Sequence, residues 1–156
     1  KQKTAYEIVS RDWSSDVCSS DLRRVIVFDS ESGAYKRHWG AYGGPPSDEK
    51  TPAYDPARPP AQQFGRPVHC VRFSKDGLVY VCDRINNRVQ MFRKDGTFVA
   101  EAFFERNTRL NGSVSELVFS PDPEQRFIYM VDGVNNELRI IERGSNEVLE
   151  IGRAHV

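Results

Sequence analysis

Short β-prone runs alternate along this chain with polar turns that carry glycine. Three segments share one layout: Arg24–Asp29 followed by Ser30–Tyr35, Arg88–Arg93 followed by Lys94–Phe98, and Glu137–Glu142 followed by Arg143–Val148. In each, an apolar run leads through a polar, Gly-bearing turn into a second run, which is a hairpin signal. The second and third copies also share what precedes them. Val68–Phe73, the turn Ser74–Gly77, the run Leu78–Asp83 and the loop Arg84–Asn87 match Val114–Phe119, Ser120–Asp122, Phe127–Asp132 and Gly133–Asn136. One unit is therefore four short strands, repeated at 49 residues between Arg88 and Glu137. The spacing from Arg24 to Arg88 is 64 residues, longer because of an insertion. A helical solenoid would need a 3.6-residue period, and none is found.

Four antiparallel strands recurring at roughly 40–50 residues form the signature of a propeller blade. The expected fold class is all-β, a partial β-propeller of about two and a half four-stranded antiparallel blades. The layout is a half blade over 23–40, a Pro/Gly-rich insertion over 41–63, a complete blade over 64–106 and a divergent one over 107–150. Gly77-x-Val79-Tyr80-Val81-x-Asp83-x-x-Asn86-x-Arg88-Val89-Gln90-x-Phe92-x-x-x-Gly96-x-Phe98 resembles an NHL repeat across the whole unit. The third unit keeps Asp132 and Asn135 but has Glu137 where the family usually has Arg. The resemblance implies a ring that usually has six blades, of which this chain would supply less than half.

The two ends are expected to be foreign to that domain. In one permitted set of codons, the reverse complement of Asp16–Asp21 translates as Ile151–Val156, so one end is the antisense of the other. A DNA fragment ligated between inverted adapters has this property. Lys1–Ile8 and Asp12–Leu22 also resemble translated sequencing-adapter sequence. Segments 1–22 and 151–156 are therefore set aside as non-native, and with them Trp13, Cys18 and His155. A leader or anchor outside this stretch stays open, as does a secreted or periplasmic setting.

Between Arg23 and Glu150 there are 18 basic and 18 acidic residues. That balance lacks the clustered basic excess a nucleic-acid partner would want. No apolar run approaches the ~18 residues of a membrane span. Cys70 and Cys82 have no metal-ligand spacing around them. If their two strands pair, they face each other, and two buried thiols are preferred over a cross-strand disulfide.

Asp83 and Asp132 end their strands just before Asn-rich turns, where a carboxylate can accept turn N–H groups. Arg88 is placed to reach such a carboxylate. Asp83, Asn86, Arg88, Asp132 and Asn135 are thus expected to be structural. Phe73, Tyr80, Phe92, Phe98, Phe119 and Tyr129 are expected to pack between blades. His69, near the start of an innermost strand, is the candidate ligand or metal residue, and Arg84 is a candidate for an anionic ligand. No catalytic triad, phosphate loop or nucleotide fingerprint occurs. The expected function is a scaffold that binds a small molecule or protein on its loop face. The alternative is part of a propeller enzyme, similar to an amidating lyase or a lactonase, with a divalent metal in the central channel.

Overall fold

The computed structural model describes residues 23–153, apart from Ser30 and Asp48. The adapter-like segment 1–22 and Ala154–Val156 lie outside the described residues. Among the described residues there are ten strands: β1 (Val25–Phe28), β2 (Tyr35–Trp39), β3 (Cys70–Phe73), β4 (Val79–Asp83), β5 (Arg88–Phe92), β6 (Phe98–Phe103), β7 (Glu116–Phe119), β8 (Phe127–Asp132), β9 (Glu137–Glu142) and β10 (Glu147–Arg153). They form an antiparallel pair β1-β2 and two four-stranded antiparallel meanders, β3-β4-β5-β6 and β7-β8-β9-β10. The architecture is all-β, and the hairpins fall where the sequence pattern places them. Gly33, Gly77 and Gly96 adopt positive φ in the hairpin turns, and Asn87 and Asn136 take the left-handed conformation before β5 and β9. Asn tolerates that conformation better than most residues because its short amide bonds the local backbone.

Side-chain alternation gives the middle sheet two buried faces. Val71, Val79, Val81 and Phe92 pack toward Val25, Val27, Trp39 and Phe64. Cys70, Tyr80, Cys82, Val89 and Met91 pack toward Leu117, Ile128, Met130 and Ile141. Phe92 lies at ring distances of 5.9 Å from Trp39, 6.2 Å from Phe64 and 5.8 Å from Phe98. Tyr80 meets Phe119 of the third sheet edge to face at 4.9 Å. Edge contacts of this kind add to the area term that drives burial.

One preferred expectation is corrected. Cys70 and Cys82 are direct register partners on β3 and β4, with Cα atoms 4.8 Å apart, and they form a disulfide rather than two free thiols. Direct opposition in the ladder brings the two Cα atoms within disulfide range. β10 runs on through Ile151–Arg153, which pair with Arg139, Leu138 and Glu137. Backbone pairing is indifferent to where those three residues come from.

The third sheet has one covered face and one open face. Val118, Val131 and Leu138 are exposed on it. Val131 and Leu138 are register partners. By the 49-residue repeat they correspond to Cys82 and Val89, which are buried in the middle sheet. An apolar sheet face left open drives association. The chain in solution should therefore self-associate by sedimentation velocity, and Val131→Lys with Leu138→Lys should shift it toward monomer. A parent chain that is already a monodisperse, cooperatively melting monomer would contradict this.

Candidate functional site

The site grows from a buried ion pair at one end of the middle sheet. Asp83, the last residue of β4, faces Arg88, the first of β5, and both are fully buried. Arg88 Nε donates to Asp83 Oδ2 at 2.7 Å. Asn86 Nδ2 donates to both carboxylate oxygens at 3.0 and 2.9 Å, and the Gly65 N–H donates to Oδ1 at 2.8 Å. Burial pushes the Asp83 carboxyl up, while the Arg88 guanidinium and these donors pull against it. A carboxylate deprived of water needs such a set of donors. One detail differs from expectation: the backbone donor comes from Gly65, ahead of the sheet, instead of from the turn itself. A Cβ on Gly65 would sit 2.8 Å from Ile85 Cβ and 3.1 Å from Asp83 Oδ1, so the approach depends on glycine.

The remaining donors of Arg88 reach into the insertion. Nη1 donates to Tyr42 Oη at 2.7 Å and to Glu101 at 3.2 Å, and Nη2 donates to the Gln63 carbonyl at 3.2 Å. Tyr42 in turn donates to both Glu101 oxygens at 3.0 Å, and its N–H donates to Gln90 Oε1 at 3.1 Å. Burial raises the Tyr42 phenol, so it keeps the proton it donates. The insertion is thereby clamped to the middle sheet at both of its ends.

The third sheet holds its carboxylate differently. Asp132 faces Glu137, a like charge, and Arg139 supplies the cation from two residues further along the same strand face. Its Nη2 donates to Glu137 and lies 3.7 Å from Asp132, while Nη1 donates to Glu105 at 2.9 Å. Asn135 donates its N–H at 3.0 Å and its side chain at 2.7 Å to Asp132. The guanidinium lost at Glu137 is thus restored one pleat away.

Beneath the clamped insertion lies a pocket of about 480 Å³ with a mostly apolar lining. Ile85, Asn86 and Phe103 of the middle sheet's end form one wall, and Pro52, Tyr54 and Pro60 of the insertion face them. Tyr54 Oη donates to the Arg106 carbonyl at 2.7 Å and ties the insertion across the pocket. Among the described residues the charged lining consists of four arginines, Arg23, Arg58, Arg66 and Arg106, and one acid, Asp55. Arg106 stacks on the Phe103 ring at 4.4 Å, and Arg58 lies 3.6 Å from Asp55. A neutral chain therefore carries a local cationic rim over an apolar floor, an arrangement suited to an anion with an apolar body.

The two sequence candidates, His69 and Arg84, come together but do not line this pocket. His69 Nδ1 donates to the Ser115 carbonyl, which leaves Nε2 to accept from Arg84 Nη1 at 3.2 Å. That lone pair is the one a metal would need, and here a guanidinium occupies it. Arg84 packs under the link to the third sheet: a Cβ on Gly112, whose φ is +74°, would lie 1.8 Å from the Arg84 carbonyl oxygen. Asp83 with Asn86 and Arg88, and Asp132 with Asn135, form the hydrogen-bonded strand ends described above. The pocket arginines were not singled out from sequence; the only signal was the long Pro-rich insertion that contains Arg58.

Burial lowers the His69 pKa, with the Arg84 charge adding to the effect and the Ser115 bond opposing it. The unfolded imidazole, near 6.5, then binds a proton over a range where the folded one does not. Stability is complete above that value and declines as pH falls below it. Urea midpoints should drop between about pH 7.5 and about pH 5.5, and His69→Gln should flatten the decline. Parallel profiles for the two proteins would contradict this.

No helix among the described residues is long and apolar enough to cross a membrane. No protein-family model matches the chain and no curated protein matches it, which leaves the functional reading to the residues of the site.

Proposed function

We propose that the chain is part of an NHL-type β-propeller of about six blades and serves as a binding module, taking a small amphipathic organic anion in the pocket beneath the insertion. Two stacked meanders with equivalent strand registers, flanked by a third hairpin, support the propeller reading. The observation that carries the binding reading is the pocket itself, about 480 Å³ of mostly apolar space bordered by four arginines and one aspartate. The apolar walls would take the ligand's body, and the guanidinium groups its carboxylate, since planar forks match planar anions. The insertion would supply one wall, and the Asp83–Arg88 network would hold that wall in place.

Decanoate and decanol share a chain and differ in the head group, so calorimetric titration of both isolates the arginine contribution. Decanoate should bind at least roughly tenfold tighter, and Arg106→Ala should remove most of that difference, as loss of a charge-assisted hydrogen bond does. Equal affinity for the acid and the alcohol, or no binding of either, would overturn the proposal.

A further inference from the structure

A second cluster lies away from the pocket, where the inner strands of the middle and third sheets meet. Cys70 and Cys82 project from β3 and β4 into the space between the sheets, and Glu116 opens β7 opposite them. One ligand atom from each of the three lies within 4.8 Å of the others. The two cysteines are buried, whereas the Glu116 side chain is 40% exposed, so the cluster has a polar route to solvent. The Leu117 N–H donates to Glu116 Oε1 at 2.9 Å and helps fix the carboxylate.

We propose that reduction of the Cys70–Cys82 disulfide creates a binding site for a thiophilic divalent cation such as Zn²⁺ or Cd²⁺, held by both cysteine sulfurs and the Glu116 carboxylate. In the oxidised chain the sulfurs are bonded to each other and no thiolate is available. A dithiol reductant supplies one electron and one proton to each sulfur and closes its own disulfide. The cation then displaces both thiol protons to solvent and takes two thiolates and one carboxylate oxygen. Two soft sulfurs favour Zn²⁺ and Cd²⁺ over Mg²⁺ or Ca²⁺, and three protein ligands leave a fourth tetrahedral position for water. Arg72 works against the cation, because its Nη2 donates to Glu116 Oε2 at 2.7 Å. The site is independent of the arginine-rimmed pocket.

The test uses the full chain with Cys18→Ser, so that Cys70 and Cys82 are its only cysteines. The protein is reduced with a phosphine, freed of reductant under inert gas and titrated with Cd²⁺ alone. One equivalent per chain should produce a thiolate-to-cadmium charge-transfer band, and the oxidised chain should give none. Glu116→Gln should weaken binding roughly tenfold or more, at least the loss seen when even an outer-shell partner is removed. Arg72→Gln should strengthen it by freeing the carboxylate. Cys82→Ser should abolish the band; because both Glu116 and Arg72 are partly exposed, their variants keep the test decisive if Cys82→Ser misfolds. A reduced chain without a stoichiometric band, or a Glu116→Gln variant that binds as tightly as its parent, would overturn the proposal.

Discussion

The buried ion pair between Asp83 and Arg88 is the constraint on which the rest of this architecture turns. Neither charge is tolerable alone in a site with no access to water, and removing one partner of such a pair typically costs about 3–5 kcal/mol. The pair survives because each of its nitrogen and oxygen atoms finds a partner: Asn86, Gly65, Gln63, Tyr42 and Glu101 complete the shell. Those partners come from the turn after β4, from β6 and from both ends of the insertion. A single guanidinium therefore fixes the strand end and the irregular chain around it in one geometry.

The third sheet shows that the requirement is for a cation near the strand-end carboxylate, not for arginine at one position. Glu137 opposite Asp132 would be destabilising on its own, since like charges directly opposed in a ladder repel. Arg139, on the same strand face, lies between the two acids and also reaches Glu105. The same chemistry thus recurs with altered wiring. In the middle sheet the equivalent of Arg139 is Gln90, which instead joins the Tyr42 and Glu101 network and so serves the insertion.

The features legible in the sequence were those encoded locally. Alternating apolar runs and Gly-bearing turns place β3 to β6 and β7 to β10, because strand period and turn chemistry act over a few residues. The strand-end turn chemistry of Asp83, Asn86 and Arg88 is legible for the same reason. The Cys70–Cys82 bond is not legible in the sequence, since spacing alone does not show whether opposed thiols are joined. The Arg139 substitution was hidden because the missing charge returns two positions later, where no linear motif expects it. Least legible was the pocket: Arg23, Arg58, Arg66 and Arg106 are scattered over more than eighty residues and meet only through the folded insertion. His69 and Arg84 stand fifteen residues apart as separate candidates in the sequence, and the fold joins them in one hydrogen bond.

The central claim, that the Asp83–Arg88 pair anchors the chain where it leaves the insertion to the middle sheet, is tested most directly by the exchange rate of one amide. The Gly65 N–H belongs to a segment without regular secondary structure, yet it donates to buried Asp83 Oδ1. If the ion pair is the anchor, this proton should exchange as slowly as the amides of β4 and β5, through the same cooperative opening. Rapid exchange at Gly65 while the β4 and β5 amides remain protected would show that the chain leaving the insertion opens independently of the pair, and would contradict the account.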